Sequence, residues 1–147
     1  MTLNERIVKE ANRWLGVPYQ HRSASRYGCD CTGLIIGIMQ ALGYMQGYKL
    51  RMYPKDWNLH DMADNHIEEE ILKVADKITG PAVPGDIVLF KYELQKFVAH
   101  IGIVTENRQF IHCWEKSGRV QLSSIEPWAK RLSAVYRFNE DKMSGYN

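Results

Sequence analysis

Cys31 stands where a polar, turn-like stretch meets an apolar run: Tyr27-Gly28-Cys29-Asp30-Cys31-Thr32-Gly33 leads into Leu34-Ile35-Ile36-Gly37-Ile38-Met39. The apolar run reads as a buried helix, which puts the sulfur at a helix N-terminus. Unpaired N–H groups and the positive dipole end there favour the thiolate, the nucleophilic form of cysteine. Gly28, Thr32 and Gly33 are small and would let a substrate come close to the sulfur. A thiol nucleophile needs a base, and the base needs an orienting group. His100, in Ala99-His100-Ile101-Gly102-Ile103-Val104, and His112, in Phe110-Ile111-His112-Cys113-Trp114, are the candidates. Both segments alternate as strands do, and Glu106-Asn107 reads as the hairpin turn between them. A turn centred on Glu106 sets His100 directly opposite His112, on one face of a sheet. One ring would take the thiol proton, in the attack step or already at rest as a thiolate–imidazolium pair, and the other would hold its tautomer. A single histidine on a strand is commonly structural. The pair, together with a helix-terminal cysteine, points to nucleophilic catalysis.

Other chemistry competes for these residues. Cys29, Cys31, His100, His112 and Cys113 supply enough ligands for a tetrahedral zinc site. Against it, Cys29-x-Cys31 lacks the usual Cys-x-x-Cys spacing, and strand neighbours 112 and 113 face opposite ways. The expectation is therefore no metal and no other cofactor. Cys29 points away from Cys31 if that segment is extended, and Cys113 points toward the core. A disulfide between Cys29 and Cys113 stays open.

The elements that must position these groups follow from patterning. A chain of 147 residues with 45% hydrophobic and 24% charged residues is expected to form one domain over 1–147, burying roughly 70% of its unfolded surface. A net charge of +2 with no Lys/Arg run argues against nucleic acid, and Leu34–Met39 and Ile87–Phe90 are too short for a membrane span. Charged Glu5, Arg6, Lys9, Glu10 and Arg13 stand where a signal peptide needs an apolar core, so no Sec export is expected. Three cysteines do not resemble a secreted disulfide framework. Thr2 and Glu5 have capping-box spacing, Ile7, Val8, Ala11, Trp14 and Leu15 recur at helical intervals, and Gly16 supplies the stop. A second helix is expected from about Thr32 to Leu42, ended by Gly43. Tyr44 to Leu59 reads as an ordered aromatic loop, and Met62 to Lys77 as a third helix with Glu68, Glu69, Glu70 and Lys73 on a solvated face. Beyond the Pro84-Gly85-Asp86 turn, strands are expected at Ile87–Phe90, Val98–Thr105, Gln109–Trp114, Arg119–Leu122 and Ala134–Phe138, with a helical turn at Glu126–Leu132. Helices first and a strand meander afterwards make an α+β domain: N-terminal helices, the cysteine at one helix N-terminus, packed on a C-terminal antiparallel sheet.

Taken in order, several motifs resemble those of the NlpC-type, papain-like cell-wall peptidases. Trp14-Leu15-Gly16-Val17-Pro18-Tyr19 is similar to that family's Gly-x-Pro-Tyr entry, and Asp30-Cys31-Thr32-Gly33 to its Asp-Cys-Ser-Gly nucleophile motif. Pro84-Gly85-Asp86, His100-Ile101-Gly102-Ile103, Phe110-Ile111-His112, Gly118-Arg119-Val120 and Trp128…Arg131…Tyr136-Arg137-Phe138 continue it. The resemblance implies Cys31 as nucleophile, His100 as general base and His112 as the third polar residue. It also implies Tyr19 beside the thiol, Asp30 receiving a substrate amine, and Thr32 replacing the usual serine against the substrate. The implied reaction is cleavage of peptidoglycan stem peptides next to γ-D-glutamyl linkages through an acyl-enzyme. The group most similar is the phage-tail and gene-transfer-agent peptidases, where His21-Arg22 replaces Gly-Gly. Such a protein would be made in the bacterial cytoplasm, assemble with tail proteins and act in the cell wall. A non-catalytic tail-tip protein, and an amidase or acyltransferase using the same three residues, are the alternatives.

Overall fold

The computed structural model describes residues 1–48, 66–91 and 98–146. Helix α1 (Leu3–Asn12) starts as its sequence dictates, the Thr2 hydroxyl accepting the Glu5 N–H at 3.1 Å. Its Ile7 and Ala11, with Trp14 just beyond, are buried. A short hairpin, β1 (Ala24–Ser25) and β2 (Gly28–Cys29), precedes α2 (Cys31–Ala41). Every residue from Gly33 to Met39 is buried, so α2 is a core helix, apolar all round. Gly43, at φ +92, ends it in the left-handed region that glycine enters freely.

After α3 (His66–Leu72) the chain enters β3 (Ala75–Ile78), which pairs with the final strand β8 (Leu132–Phe138). The single helix expected over Met62–Lys77 is thus a helix and a strand, and 62–65 lie outside the described residues. The acidic face of α3 is also less solvated than its charges suggest. Glu68 accepts a hydrogen bond from the Tyr136 hydroxyl, and Glu70 from that of Tyr48 at 2.7 Å. Of the expected aromatic loop, Tyr44 and Tyr48 are described and anchor the fold. Tyr53 and Trp57 fall outside the described residues.

Strands β4 (Ile87–Lys91), β5 (Val98–Val104), β6 (Gln109–Trp114) and β7 (Arg119–Ser124) complete an antiparallel sheet of order β3-β8-β4-β5-β6-β7. A 3-10 helix (Glu126–Arg131) carries the chain from β7 to β8, and α4 (Glu140–Ser144) follows. Period-two alternation splits the core in two. Ile87, Leu89, Ile101, Ile103, Ile111, Cys113 and Tyr136 pack with α1 and α2 on one side. Val88, Phe90, Val104, Phe110 and Val135 pack on the other, against Ile125 and Trp128. Asp86 ties the layers together. Fully buried, it accepts two hydrogen bonds from the Arg137 guanidinium, both at 2.9 Å, one from Asn4 Nδ2 at 3.2 Å and one from the Val83 N–H at 2.9 Å. These observations establish the expected fold class, helices at the N-terminus on an antiparallel C-terminal sheet with Cys31 at the start of α2.

Candidate active site

Asp30 makes the N-terminus of α2. Its Oδ1 accepts the Gly33 N–H at 2.7 Å and the Thr32 hydroxyl at 3.3 Å, and its Oδ2 accepts the Arg22 N–H at 2.9 Å. A carboxylate at this position satisfies orphan donors of the first helical turn. The sequence signal was present, an aspartate immediately before an apolar helix. The glycines beside the thiol are required by this local packing. A Cβ on Gly33 would lie 1.8 Å from the Ser23 carbonyl oxygen, and one on Gly28 would meet the Gln20 side chain at 2.3 Å.

Cys31 is half-buried, and Cys29, Cys31 and Cys113 are all free thiols. Cys113 Sγ donates to the Cys29 carbonyl oxygen at 3.1 Å, so these two residues pack together without the disulfide left open above. The helix start does act on Cys31: the N–H groups of Thr32 and of Cys31 itself favour its thiolate. Burial opposes them and wins, with Asp30 and Cys113 adding to it, so the thiol is pushed well above its ordinary range. The resting sulfur is therefore protonated, contrary to a thiolate formed by the helix terminus alone. Half-buried Tyr19 stands in the same environment. Its phenol is pushed up by burial and then by the charges of Glu115 and Asp30.

On the sheet, His100 Nε2 and His112 Nδ1 are 2.6 Å apart. The rings meet edge to face with centroids 4.8 Å apart. They are not directly opposed, however. The β5–β6 ladder pairs Ile103 with Ile111 and Val104 with Phe110, and the Thr105 N–H donates to the Gln109 carbonyl oxygen. The hairpin is therefore centred on Asn107, with Asn107 and Arg108 at φ +59 and +54, one residue later than the Glu106 centre expected. Extended along the strands, this register sets His112 against Gly102, making the two histidines diagonal neighbours. Gly102 is what lets the ring settle there, since a Cβ on it would lie 2.7 Å from Phe110 Cδ2 and 3.2 Å from His112 Cβ. Among the described residues the β5–β6 ladder has only those two pairs, and the histidines occupy the end where the strands are unpaired.

Aromatic rings enclose the histidine pair. Trp128, from the 3-10 helix, stacks on His100 at 5.5 Å, and Phe110 stacks on His112 at 4.3 Å. Sequence reasoning had not placed Trp128 at the site, because no spacing rule connects the 3-10 segment to β5. Burial holds the His100 imidazole down to about 3, with His112 as a second cause, and holds His112 down to about 4. Both rings are therefore neutral at neutral pH. Helix α2 packs against β5 and β6 through the face that carries Ile101, Ile103, Ile111 and Cys113, whereas the histidine rings lie on the face of Phe90, Phe110 and Trp128. Among the described residues no hydrogen bond joins Cys31 to either ring. Nor do any three His, Cys, Asp or Glu side chains form a group able to hold a metal, and no helix is long and apolar enough to cross a membrane.

A cysteine at a core-helix N-terminus, backed by an antiparallel sheet that carries a bonded pair of histidines, defines an α+β protein of a recognisable class. Residues 16–137 match the NlpC/P60 family model, and the chain belongs to the NlpC/P60 family. It is 28% identical over 121 residues to the probable endopeptidase NlpC of Escherichia coli (strain K12), covering 81% of this chain and 68% of that protein. It is 26% identical over 136 residues to the murein DD-endopeptidase MepS/murein LD-carboxypeptidase of the same strain, covering 92% of this chain and 63% of that one. The chain thus spans about two thirds of the length of these relatives. Among solved structures, NlpC1 from Trichomonas vaginalis has the same fold, with a TM-score of 0.67 at 21% identity, over 92% of this chain and 44% of that one.

Proposed function

We propose that this chain is a cysteine peptidase that hydrolyses stem peptides of peptidoglycan. The observation that carries the reading is the 2.6 Å contact between His100 and His112, on the two strands against which the Cys31 helix packs. With Nε2 engaged by His112, His100 has Nδ1 left to receive a proton. In the reaction, the Cys31 proton passes to His100 Nδ1 as the sulfur attacks the peptide carbonyl carbon. Because thiol and imidazole both rest neutral, proton transfer accompanies attack. The N–H groups of Cys31 and Thr32, already aimed at the sulfur, are placed to stabilise the oxyanion. Collapse breaks the C–N bond, His100 returns the proton to the leaving amine, and water then releases the acyl group from sulfur. His112 orients His100 throughout.

In this reading Tyr19 and Thr32 flank the acyl group. A substrate amine at Asp30 shares a carboxylate that already caps α2. Cleavage next to γ-D-glutamyl linkages, and service in a phage tail or gene-transfer agent, are the finer parts of the proposal. They rest on the motif resemblance described above.

The test is mass spectrometry of muropeptides incubated with the wild-type protein and with Cys31→Ala, each with and without a chelator. Fragments that need Cys31 and survive chelation support the proposal, and their masses name the bond. Cleavage by Cys31→Ala overturns Cys31 as the nucleophile, and no cleavage by folded wild type overturns the proposal in favour of a non-catalytic or acyltransferring protein.

A further inference from the structure

Beyond the three residues of the proposed mechanism, the hydrogen-bond chain continues. His112 Nε2 lies 2.8 Å from Ser123 Oγ, and Gln121 Nε2 donates to the same oxygen at 3.4 Å. Both residues are on β7, the strand beside β6. Gln121 pairs with His112 and Ser123 with Phe110, so all four residues share one sheet face. We infer that Ser123, held by Gln121, is a positioning residue that sets the tautomer of His112 and, through it, the basicity of His100 Nδ1. The inference rests on the reading of His100 as the general base.

The argument is one of proton bookkeeping. Only one proton can lie between His100 Nε2 and His112 Nδ1. If His112 donates it, neutral His100 carries its own proton on Nδ1 and has no lone pair for the thiol. If His100 donates it, Nδ1 is free, and His112 carries its proton on Nε2. That N–H is wholly buried with the rest of the ring and needs an acceptor. Ser123 Oγ is the acceptor at hydrogen-bond distance. Once His100 has taken the thiol proton it must donate from Nε2, so the same His112 tautomer serves both the resting state and the imidazolium. A serine oxygen can accept from His112 and from Gln121 together, with its own proton turned elsewhere. Alanine at 123 leaves the His112 N–H without a partner and favours the flipped, unproductive tautomer.

Two readouts test this, one independent of turnover. Nitrogen-15 NMR of the imidazoles is expected to show wild-type His112 protonated on Nε2 with a bare Nδ1, and Ser123→Ala to shift it toward the Nδ1–H form. Muropeptide cleavage by Ser123→Ala is expected to lose roughly 10-fold to 100-fold in kcat with KM little changed, the size of effect that outer-shell partners of metal-bound histidines have. Ser123→Thr, which keeps the hydroxyl, restores both the tautomer and the rate. Thermal melts of the variants separate lost orientation from lost folding. An Nδ1–H tautomer in the wild type, or no change in tautomer in folded Ser123→Ala, overturns the inference. If the NMR result holds and no protein cleaves muropeptides, Ser123 still sets the tautomer and it is the peptidase reading that fails.

Discussion

The buried imidazoles make the protein acid-labile in a defined window. His100 is held down to about 3 and His112 to about 4 by burial, against an ordinary histidine near 6.5. Above that ordinary value both rings are neutral, folded or unfolded, and the pair contributes its full stability. Below it the unfolded chain takes up protons that the folded chain refuses. Stability is therefore lost as the pH falls through the window, until the folded rings themselves protonate. At about pH 5 each ring costs roughly 2 kcal/mol, so the pair removes roughly 4 kcal/mol. For a domain of this size that is a drop in Tm of about 8–16 °C. The assay is calorimetry at about pH 7.5 and pH 5, on the wild type and on His112→Gln, whose neutral side chain removes one of the two terms. The wild type is expected to lose about twice as much Tm as the variant. Equal melting points for the wild type at the two pH values, or a loss that His112→Gln leaves unchanged, would refute the reasoning.

Further outcomes follow from individual contacts. Cys31→Ser is expected to abolish muropeptide cleavage, with a circular dichroism melt close to wild type, because serine is nearly isosteric with the half-buried cysteine at the edge of the core. His112→Ala is expected to slow cleavage while leaving it measurable, since an orienting group contributes less than the nucleophile; single-turnover rates read the difference. Gly33→Ala would drive a methyl into the Ser23 carbonyl oxygen, 1.8 Å from the ideal Cβ position. It is expected to lower Tm and disturb the start of α2 together, visible as an altered alkylation rate of Cys31 by iodoacetamide. Arg137→Leu strands the fully buried Asp86 carboxylate with only Asn4 and the Val83 N–H. A loss of about 3 kcal/mol in urea unfolding is expected, the low end for a broken buried pair because those two donors remain.

Local signals carried most of the fold. Thr2 with Glu5, the apolar run after Cys31, Gly43 and Pro84-Gly85-Asp86 each act through their own neighbours, and each element they mark lies where patterning places it. Ala75–Ile78 was misread because Ile67, Ile71 and Val74 extend a helical rhythm to its threshold; only pairing with β8, more than fifty residues later, turns the segment into a strand. The β5–β6 register slipped by one position at the turn because Asn107 and Arg108 adopt left-handed backbone, and nothing nearby favours that over a turn at Glu106. The slip exchanged opposed histidines for diagonal ones and left them on the same face, since both rings keep the same strand parity. The position of Cys31 at a helix start, and of His100 and His112 on neighbouring strands with their rings on one face, was legible from type and spacing. The partners that set their charge were not, because the burial of Cys31, the Trp128 cover and the Ser123 contact all come from the assembled fold. Asp30 shows the same limit from the other side: the motif resemblance assigns it a substrate amine, and the structure occupies its carboxylate with the cap of α2.

The central claim is that Cys31 forms a covalent acyl intermediate with a peptidoglycan stem peptide. Its most direct test is intact-protein mass spectrometry of a rapidly acid-quenched reaction between the protein and muropeptides, followed by peptide mapping of any adduct. The account predicts a transient mass increase equal to the acyl fragment, mapped to Cys31, labile to hydroxylamine and absent from Cys31→Ser. Cleavage that proceeds with no such adduct, or an adduct mapped to another residue, would contradict it.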